Sequence, residues 1–379
     1  MDSLTNKKIL FVFPSLELGG AERQGLVLAE HLAAREQAQV EIWGLSGGQR
    51  VVDVCKDFSI LTREVPFSIW TMRSKLALQL IRFAKKIRDQ KFDIILPYVT
   101  QPNLVCYSIW QWTRAQACIW QQRDEGKDRG PSRLEQRAAR MASGFISNSP
   151  GGVSFLTENM GIARERVHVV PNGIQLKSPI DDRRTWRGRL EISERELIAT
   201  MVANLTTAKD HETLLRAWRI VIDSIHQPVV LVLAGRLDEG ADRAKSLAFD
   251  LDLRDRVRFV GPVNDVAGLL HASDICVYSS VREGCPNGVL EGMAAGLPVV
   301  GTDIRGIRQA VGKDNFRFLA PASDAGALAQ RIKELLQSPD LRDSFGTRNQ
   351  QRIEAEFSPE QMCRSTVDLI CQSAKRSKS

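Results

Sequence analysis

Residues Glu283 to Asp303 read EGCPNGVLEGMAAGLPVVGTD. Upstream, Ala272 to Ser280 (ASDICVYSS) is a short apolar strand ending in two serines, and downstream Leu297 to Val300 (LPVV) is another. Between them Val289, Leu290 and Met293 recur at offsets that line one helix face, so Gly288 to Ala295 reads as helix, and Gly296 stops it. The unit is strand, loop, helix, strand, which is one turn of a parallel α/β sheet.

Gly284, Pro286, Asn287 and Gly288 suit a sharp helix entry. Proline has no N–H, so the donors at this helix start are the amides of Asn287, Gly288 and Val289. Such a start holds an anion through unpaired N–H groups and the positive end of the helix dipole. Glu283 and Glu291 stand eight residues apart, about two turns into the helix neighbourhood. Carboxylates do not bind phosphate, but they accept hydrogen bonds from hydroxyls, and a sugar nucleotide carries hydroxyls on both sides of its diphosphate. Spacing alone also fits a plain β–α–β connection with two solvated glutamates.

With its surroundings, Pro286 to Val300, the segment resembles the glutamate, seven residues, glutamate signature of family-four retaining glycosyltransferases of the GT-B fold. The resemblance covers nearly the whole chain and is strongest from Val167 to Val311. It implies an α/β protein of two Rossmann-like, doubly wound domains facing each other across a cleft. Residues 1–173 are the acceptor-side domain, 174–195 a hinge or linker, and 196–357 the donor domain. A C-terminal helix at about 358–379 is expected to cross back onto the first domain. By the same resemblance Glu283 and the backbone after it contact the donor sugar, while Glu291 holds the nucleotide ribose. The base packs near Val263, and Gly19 and Gly20 border the diphosphate and the acceptor. Read without the family, LELGGAER around those glycines is simply a tight strand-to-helix turn.

Composition sets the frame. A chain of 379 residues with 43% hydrophobic content has ample material for two globular domains. The seven cysteines are scattered, with no zinc-type spacing, which points to reduced thiols in a cytosol; Cys285, in the donor loop, reads as a small filler. MDSLTNKKILFVF runs directly into a strand and is too short an apolar run for a signal peptide, and no stretch of 18 apolar residues offers a membrane span. Neither G-x-G-x-x-G nor a P-loop is present, which speaks against NAD or P-loop chemistry. The net charge is +7, and residues 1–171 carry 23 Lys and Arg against 17 Asp and Glu, while the remainder carries 29 against 28. The first half is therefore the side expected to meet an anionic partner.

Met72 to Lys91 reads as a helix with Leu76, Leu80, Phe83 and Ile87 on one side and seven Lys and Arg elsewhere. A basic amphipathic helix can lie on an anionic bilayer, or be a surface helix with solvated lysines; the pattern leaves both open. Leu104 to Trp120 carries three tryptophans and reads as core helix followed by strand, or as an interfacial or acceptor-lipid element. Gln121 to Arg133 is a polar loop. In the second half LIATMVANL (Leu197–Leu205), Val229–Ala234 and Val257–Val260 are strands, giving five strand–helix units. Asp250 and Asp252 form a D-x-D string in a turn-like stretch and read as solvated, not as metal ligands.

The chain departs from the family pattern in three places. The family's strand after the hinge ends in an arginine with a lysine five residues on, both on the diphosphate; here Asn204 stands at the first position and Lys209 is kept. Asparagine donates a hydrogen bond but brings no charge, so one cation does the work of two unless another, such as Arg236, compensates. Many members place a histidine in the loop after the strand near residue 120; here stand Gln122, Arg123 and Asp124. Arg123 is positioned for phosphate or acceptor, and Asp124 for the acceptor hydroxyl. Gln309 replaces a frequent glutamate.

The reading is thus a metal-independent, hexosyl-type retaining glycosyltransferase, with Glu283, Lys209 and Asp124 as catalytic candidates. Its donor is a UDP- or GDP-sugar and its acceptor a saccharide or lipid-linked saccharide, in polysaccharide or glycolipid synthesis at the cytoplasmic face of a membrane. No cofactor and no nucleic-acid partner are expected. The alternatives are a non-catalytic GT-B protein that binds sugar nucleotides or membranes, and a GT-B sugar-nucleotide epimerase.

Overall fold

The structure is a computed structural model that describes residues 4–68, 73–126 and 130–376. Met72, residues 127–129 of the polar loop and the last three residues of the basic tail lie outside them. The chain forms two units: residues up to Gly173 together with those from Pro359, and Ile174–Ser358.

The first unit is built on β1 (Lys8–Phe13), β2 (Gln39–Gly44), β3 (Leu61–Glu64), β4 (Ile94–Pro97), β5 (Ala117–Gln122), β6 (Gly144–Ser147) and β7 (Val167–Val169). They make one parallel sheet in the order β3-β2-β1-β4-β5-β6-β7. Central strands such as KILFVF are apolar on both sides because helices cover both faces. Successive residues alternate between those faces. Leu10, Val12, Trp43 and Ile95 join one core. Ile9, Phe11, Ile42 and Ile94 join the other, with Met362, Cys363, Leu369 and Ile370 of the helix Pro359–Arg376.

The second unit holds β8 (Leu197–Val202), β9 (Val229–Ala234), β10 (Val257–Gly261), β11 (Ile275–Tyr278), β12 (Val299–Thr302) and β13 (Leu319–Ala320), in the order β10-β9-β8-β11-β12-β13. This sheet is parallel too, with six strands instead of the five units expected from sequence.

The segment 174–195, read from sequence as a linker, contains the helix Arg183–Leu190 and is part of the second unit. Trp186 and Leu190, one turn apart, close the sheet face formed by Ile198, Val230 and Val232. Arg187, 1% exposed, donates to Asp274 at 3.0 Å and to the Ser193 and Glu196 carbonyls. The polar composition that suggested a linker is therefore the polar side of a cover helix, with one arginine turned inward onto a carboxylate. Among the described residues no helix is long and apolar enough to cross a membrane.

Both sheets reverse their strand order once, between β1 and β4 and between β8 and β11. At such a switch the chains leaving two neighbouring strands turn to opposite faces, and a crevice opens at the carboxyl edge. The two reversals are where sites are to be sought.

Candidate active site

At the reversal in the second unit, the chain leaving β8 makes a single turn of 3-10 helix, Thr207–Lys209, and enters the helix His211–Ser224. Asp210, at φ 48°, caps that helix by accepting the Thr213 N–H at 3.2 Å. The chain leaving β11 is tied to this turn: the Val281 N–H donates to the Ala208 carbonyl, and Ser279 Oγ donates to the Lys209 and Asp210 carbonyls, all at 3.0 Å. Two loops distant in sequence thus become one surface. On it the Lys209 ammonium is ion-paired with Glu283 Oε1 and donates to Tyr278 Oη at 3.2 Å. Ser280 Oγ donates to the same Glu283 oxygen at 2.6 Å.

Burial opposes the charge on Lys209, but Tyr278 and Glu283 outweigh it and hold its pKa above that of an ordinary lysine. The neighbouring His211 goes the other way. Burial, helped by the Lys209 charge, lowers its pKa to about 4, so it is neutral at pH 7.

The helix Asn287–Ala294 starts beside this cluster. Gly288 and Gly292, one turn apart, let its backbone lie against the sheet. A Cβ on Gly288 would overlap the Val202 carbonyl oxygen, and one on Gly292 would come within 2.6 Å of Cys276 Sγ. The helix mouth is thereby set at the carboxyl ends of β8 and β11. Two details correct the reading from sequence. The Val289 N–H donates to the Pro286 carbonyl at 3.1 Å, so the helix consumes that amide, leaving Asn287 and Gly288 as the residues ahead of the first intrahelical bond. Glu291 lies one turn into the helix, not two, because Gly284–Pro286 is loop; its side chain is mostly buried. Cys285 belongs to the apolar core, as its reading as a filler implies.

Other candidates of this unit lie along the same edge. Asn204 follows β8, and its Oδ1 accepts the Arg236 N–H at 3.2 Å, which joins the ends of β8 and β9. Arg236 itself is only loosely paired, with Asp238 at 3.4 Å. Val263 follows β10, half-buried against the core. Asp250 and Asp252 are exposed at the far end of the helix Ala241–Asp250. Among the described residues no three His, Cys, Asp or Glu are grouped as metal ligands.

In the first unit Gly19 caps the helix Gly20–Ala34, and its N–H donates to Glu22 Oε2 at 3.1 Å. A side chain on Gly19 would run into that carboxylate. Across the strand reversal Val99 holds φ 62° at the exit of β4, a left-handed backbone that a β-branched residue rarely takes. Arg123 lies over the Tyr98 ring at 4.9 Å and donates to Gln121 Oε1 at 2.9 Å. Asp124 is exposed, but its Oδ1 accepts from Gln122 Nε2 at 2.5 Å and from the Gly126 N–H at 2.9 Å. That oxygen shapes its own loop. Thr100, Trp120, Gln122, Asp124 and Phe155 line a small cleft here.

Two family models match the chain, "Glycosyl transferases group 1" over residues 182–352 and "Glycosyltransferase Family 4" over 18–178. The chain belongs to glycosyltransferase family four. Among its relatives, a putative glycosyltransferase EpsD of Bacillus subtilis is 33% identical over 199 residues, 52% of this chain and 49% of that protein. The N-acetylgalactosamine-N,N'-diacetylbacillosaminyl-diphospho-undecaprenol 4-alpha-N-acetylgalactosaminyltransferase of Campylobacter jejuni is 26% identical over 215 residues, 56% of this chain and 55% of that protein. The chain thus spans about half the length of each. Anabaena HepE, solved in complex with UDP-glucose, superposes with a TM-score of 0.84 at 19% identity, covering 96% of this chain and 99% of that one. The fold is GT-B.

Within this family-four chain, Tyr278 and Ser280 are site residues that sequence reasoning passed over. They read as the end of a buried strand, and only the ion pair above them gives their hydroxyls a role. The signal was present in the two serines that close the strand. In the first unit the missed group is polar and buried: Gln121, Asn148 and Asn172 surround Arg123. Nothing in their spacing brings positions 121, 148 and 172 together; adjacent parallel strands do.

Proposed function

We propose that the chain is a retaining glycosyltransferase that moves a hexose from a UDP- or GDP-sugar to a hydroxyl of a saccharide or lipid-linked saccharide. The observation that carries this reading is the meeting of Lys209, Glu283 and the Asn287 helix mouth at one strand reversal. Lys209 and the helix start supply positive charge where a diphosphate leaves, so no metal is required. Glu283 accepts hydrogen bonds from the donor-sugar hydroxyls, and Glu291 from the ribose. The base lies near Val263, two strands from β8, about 10 Å at ordinary strand spacing, a distance that a nucleotide spans. The bond from the anomeric carbon to the diphosphate breaks, and a bond from the acceptor oxygen forms on the same face. The acceptor proton passes to the departing phosphate oxygen. The first unit, with Gly19, Gly20, Arg123 and Asp124, is the acceptor side. HepE's complex with UDP-glucose supports the donor class. The name of the Campylobacter relative supports a lipid-linked acceptor in glycolipid or polysaccharide assembly.

The test is a panel of nucleotide sugars with an EDTA-treated enzyme, scoring diphosphate release on adding saccharide acceptors, and the anomeric configuration of the product by NMR. Release with an α-product from an α-linked donor is expected. Release of nothing from any UDP- or GDP-sugar sinks the reading, and an inverted product removes retention from it.

An anionic membrane surface is part of the same proposal. The helix Arg73–Gln90 buries Phe83 and Ile87 and turns Leu78 and Ile81, 47% and 56% exposed, outward among Lys75, Arg82 and Lys85. Trp112, on the adjoining helix Trp110–Thr113, is 57% exposed. Apolar side chains ringed by cations suit an acidic bilayer. The protein should pellet with phosphatidylglycerol vesicles at low salt, and Leu78→Glu with Ile81→Glu should stay in the supernatant. Equal sedimentation of both proteins would dismiss the membrane role.

A further inference from the structure

Lys209 is already occupied. Its ammonium is paired with Glu283, and Ser280 holds the same carboxylate oxygen in place. If Lys209 receives a diphosphate and Glu283 receives a sugar, as proposed above, the incoming anion repels the carboxylate already on the ammonium, and the two compete for Lys209. Tyr278 is placed to keep the ammonium where it is while this happens. Its side chain is 2% exposed, its hydroxyl accepts from Lys209 at 3.2 Å, and its ring lies under the helix mouth, 2.9 Å from where a Cβ on Gly288 would stand. An ammonium has three donors, so it can keep Tyr278 and exchange its other partner.

We propose that Glu283 is the resident counter-ion of Lys209 before the donor binds, that the donor diphosphate displaces it, and that Tyr278 is the residue positioning Lys209 through the exchange. This rests on the donor-site reading above and adds a specificity to it. A nucleotide sugar offers hydroxyls to the carboxylate it has displaced. A free nucleoside diphosphate takes Lys209 and leaves Glu283 with Ser280 alone. The pair therefore favours the sugar-bearing donor over the diphosphate product, which is expelled as the Lys209–Glu283 contact re-forms.

The experiment is titration calorimetry with UDP and UDP-glucose, and with GDP and GDP-mannose, on the full chain and two variants, each shown to be folded by a cooperative thermal transition above the titration temperature. Glu283→Gln is expected to bind the free diphosphate about tenfold tighter than wild type and to lose the preference for the nucleotide sugar. Tyr278→Phe is expected to weaken both ligands about tenfold with the preference kept, at a Tm that a merely structural role would have moved. Should Glu283→Gln not fold, Glu283→Asp, which withdraws the charge by one methylene, must shift diphosphate affinity in the same direction. Diphosphate affinity unchanged or weaker in the Glu283 variant overturns the exchange, and unchanged affinities in Tyr278→Phe overturn the positioning role. Wild-type protein that binds none of the four ligands refutes the donor-site reading itself, a separate outcome.

Discussion

Lys209→Met should lower the rate of sugar transfer about a thousandfold, the range seen when a preorganised charge facing a leaving group is removed. Methionine keeps most of the side chain's apolar length, so the loss reports charge more than packing. The same substitution should also unfold the protein more easily. Glu283 is mostly buried, with only 10% of its side chain exposed, and it loses its counter-ion. Removing one partner of a buried pair costs about 3 kcal/mol or more, because the remaining charge stays desolvated. The two effects separate in Lys209→Met combined with Glu283→Gln. A neutral amide beside a thioether leaves no unpaired charge, so stability should return toward wild type while transfer stays abolished. Urea unfolding and diphosphate-release kinetics on the three proteins decide the matter. A single mutant within tenfold of the wild-type rate would remove Lys209 from the reaction.

Gly288→Ala should behave unlike an ordinary helix glycine. Alanine in a helix interior is better than glycine by about 1 kcal/mol. At position 288 the added methyl falls on the Val202 carbonyl oxygen and within 2.9 Å of Tyr278 Cε2, so backbone and a buried ring must both give way. Overpacking of this kind costs about 1–3 kcal/mol, which exceeds the propensity gain. The helix mouth then retreats from the ends of β8 and β11, and a displacement on the order of 1 Å at such a site can reduce turnover about a hundredfold. Gly188 is the control. It is helical, exposed, and a Cβ there meets nothing within 4 Å, so Gly188→Ala should stabilise. Thermal unfolding with nucleoside diphosphate titration checks both. Equal melting temperatures and affinities in the two variants would refute the close-packing argument.

Much of this was legible beforehand. The quoted stretch reads as strand, loop, helix, strand, and the structure has β11, the helix Asn287–Ala294 and β12 there, with ends shifted by one to three residues. Long apolar runs such as LVLA in β9 and ILFVF in β1 declare themselves because helices cover them on both sides. What escaped is short or polar. β3, LTRE, is an edge strand without a buried residue, so it carries no hydrophobic period. The helix Arg183–Leu190 contains four arginines and hides its two anchoring residues among them. The spent amide of Val289 was invisible because the exact start of a helix is set by its hydrogen bonds, not by residue type.

By itself, the sequence determined the α/β class, the family, and the residue types available at the helix mouth, since these follow from local periodicity and from one run of 21 residues. The tertiary structure alone decided what those residues touch. Lys209 and Glu283 are 74 positions apart, and no local pattern links them. They meet because β8 and β11 are hydrogen-bonded neighbours where the strand order reverses, so the loops leaving their carboxyl ends flank one crevice. The same reversal places the Tyr278 hydroxyl against the ammonium, a contact that depends on strand register and has no counterpart in spacing.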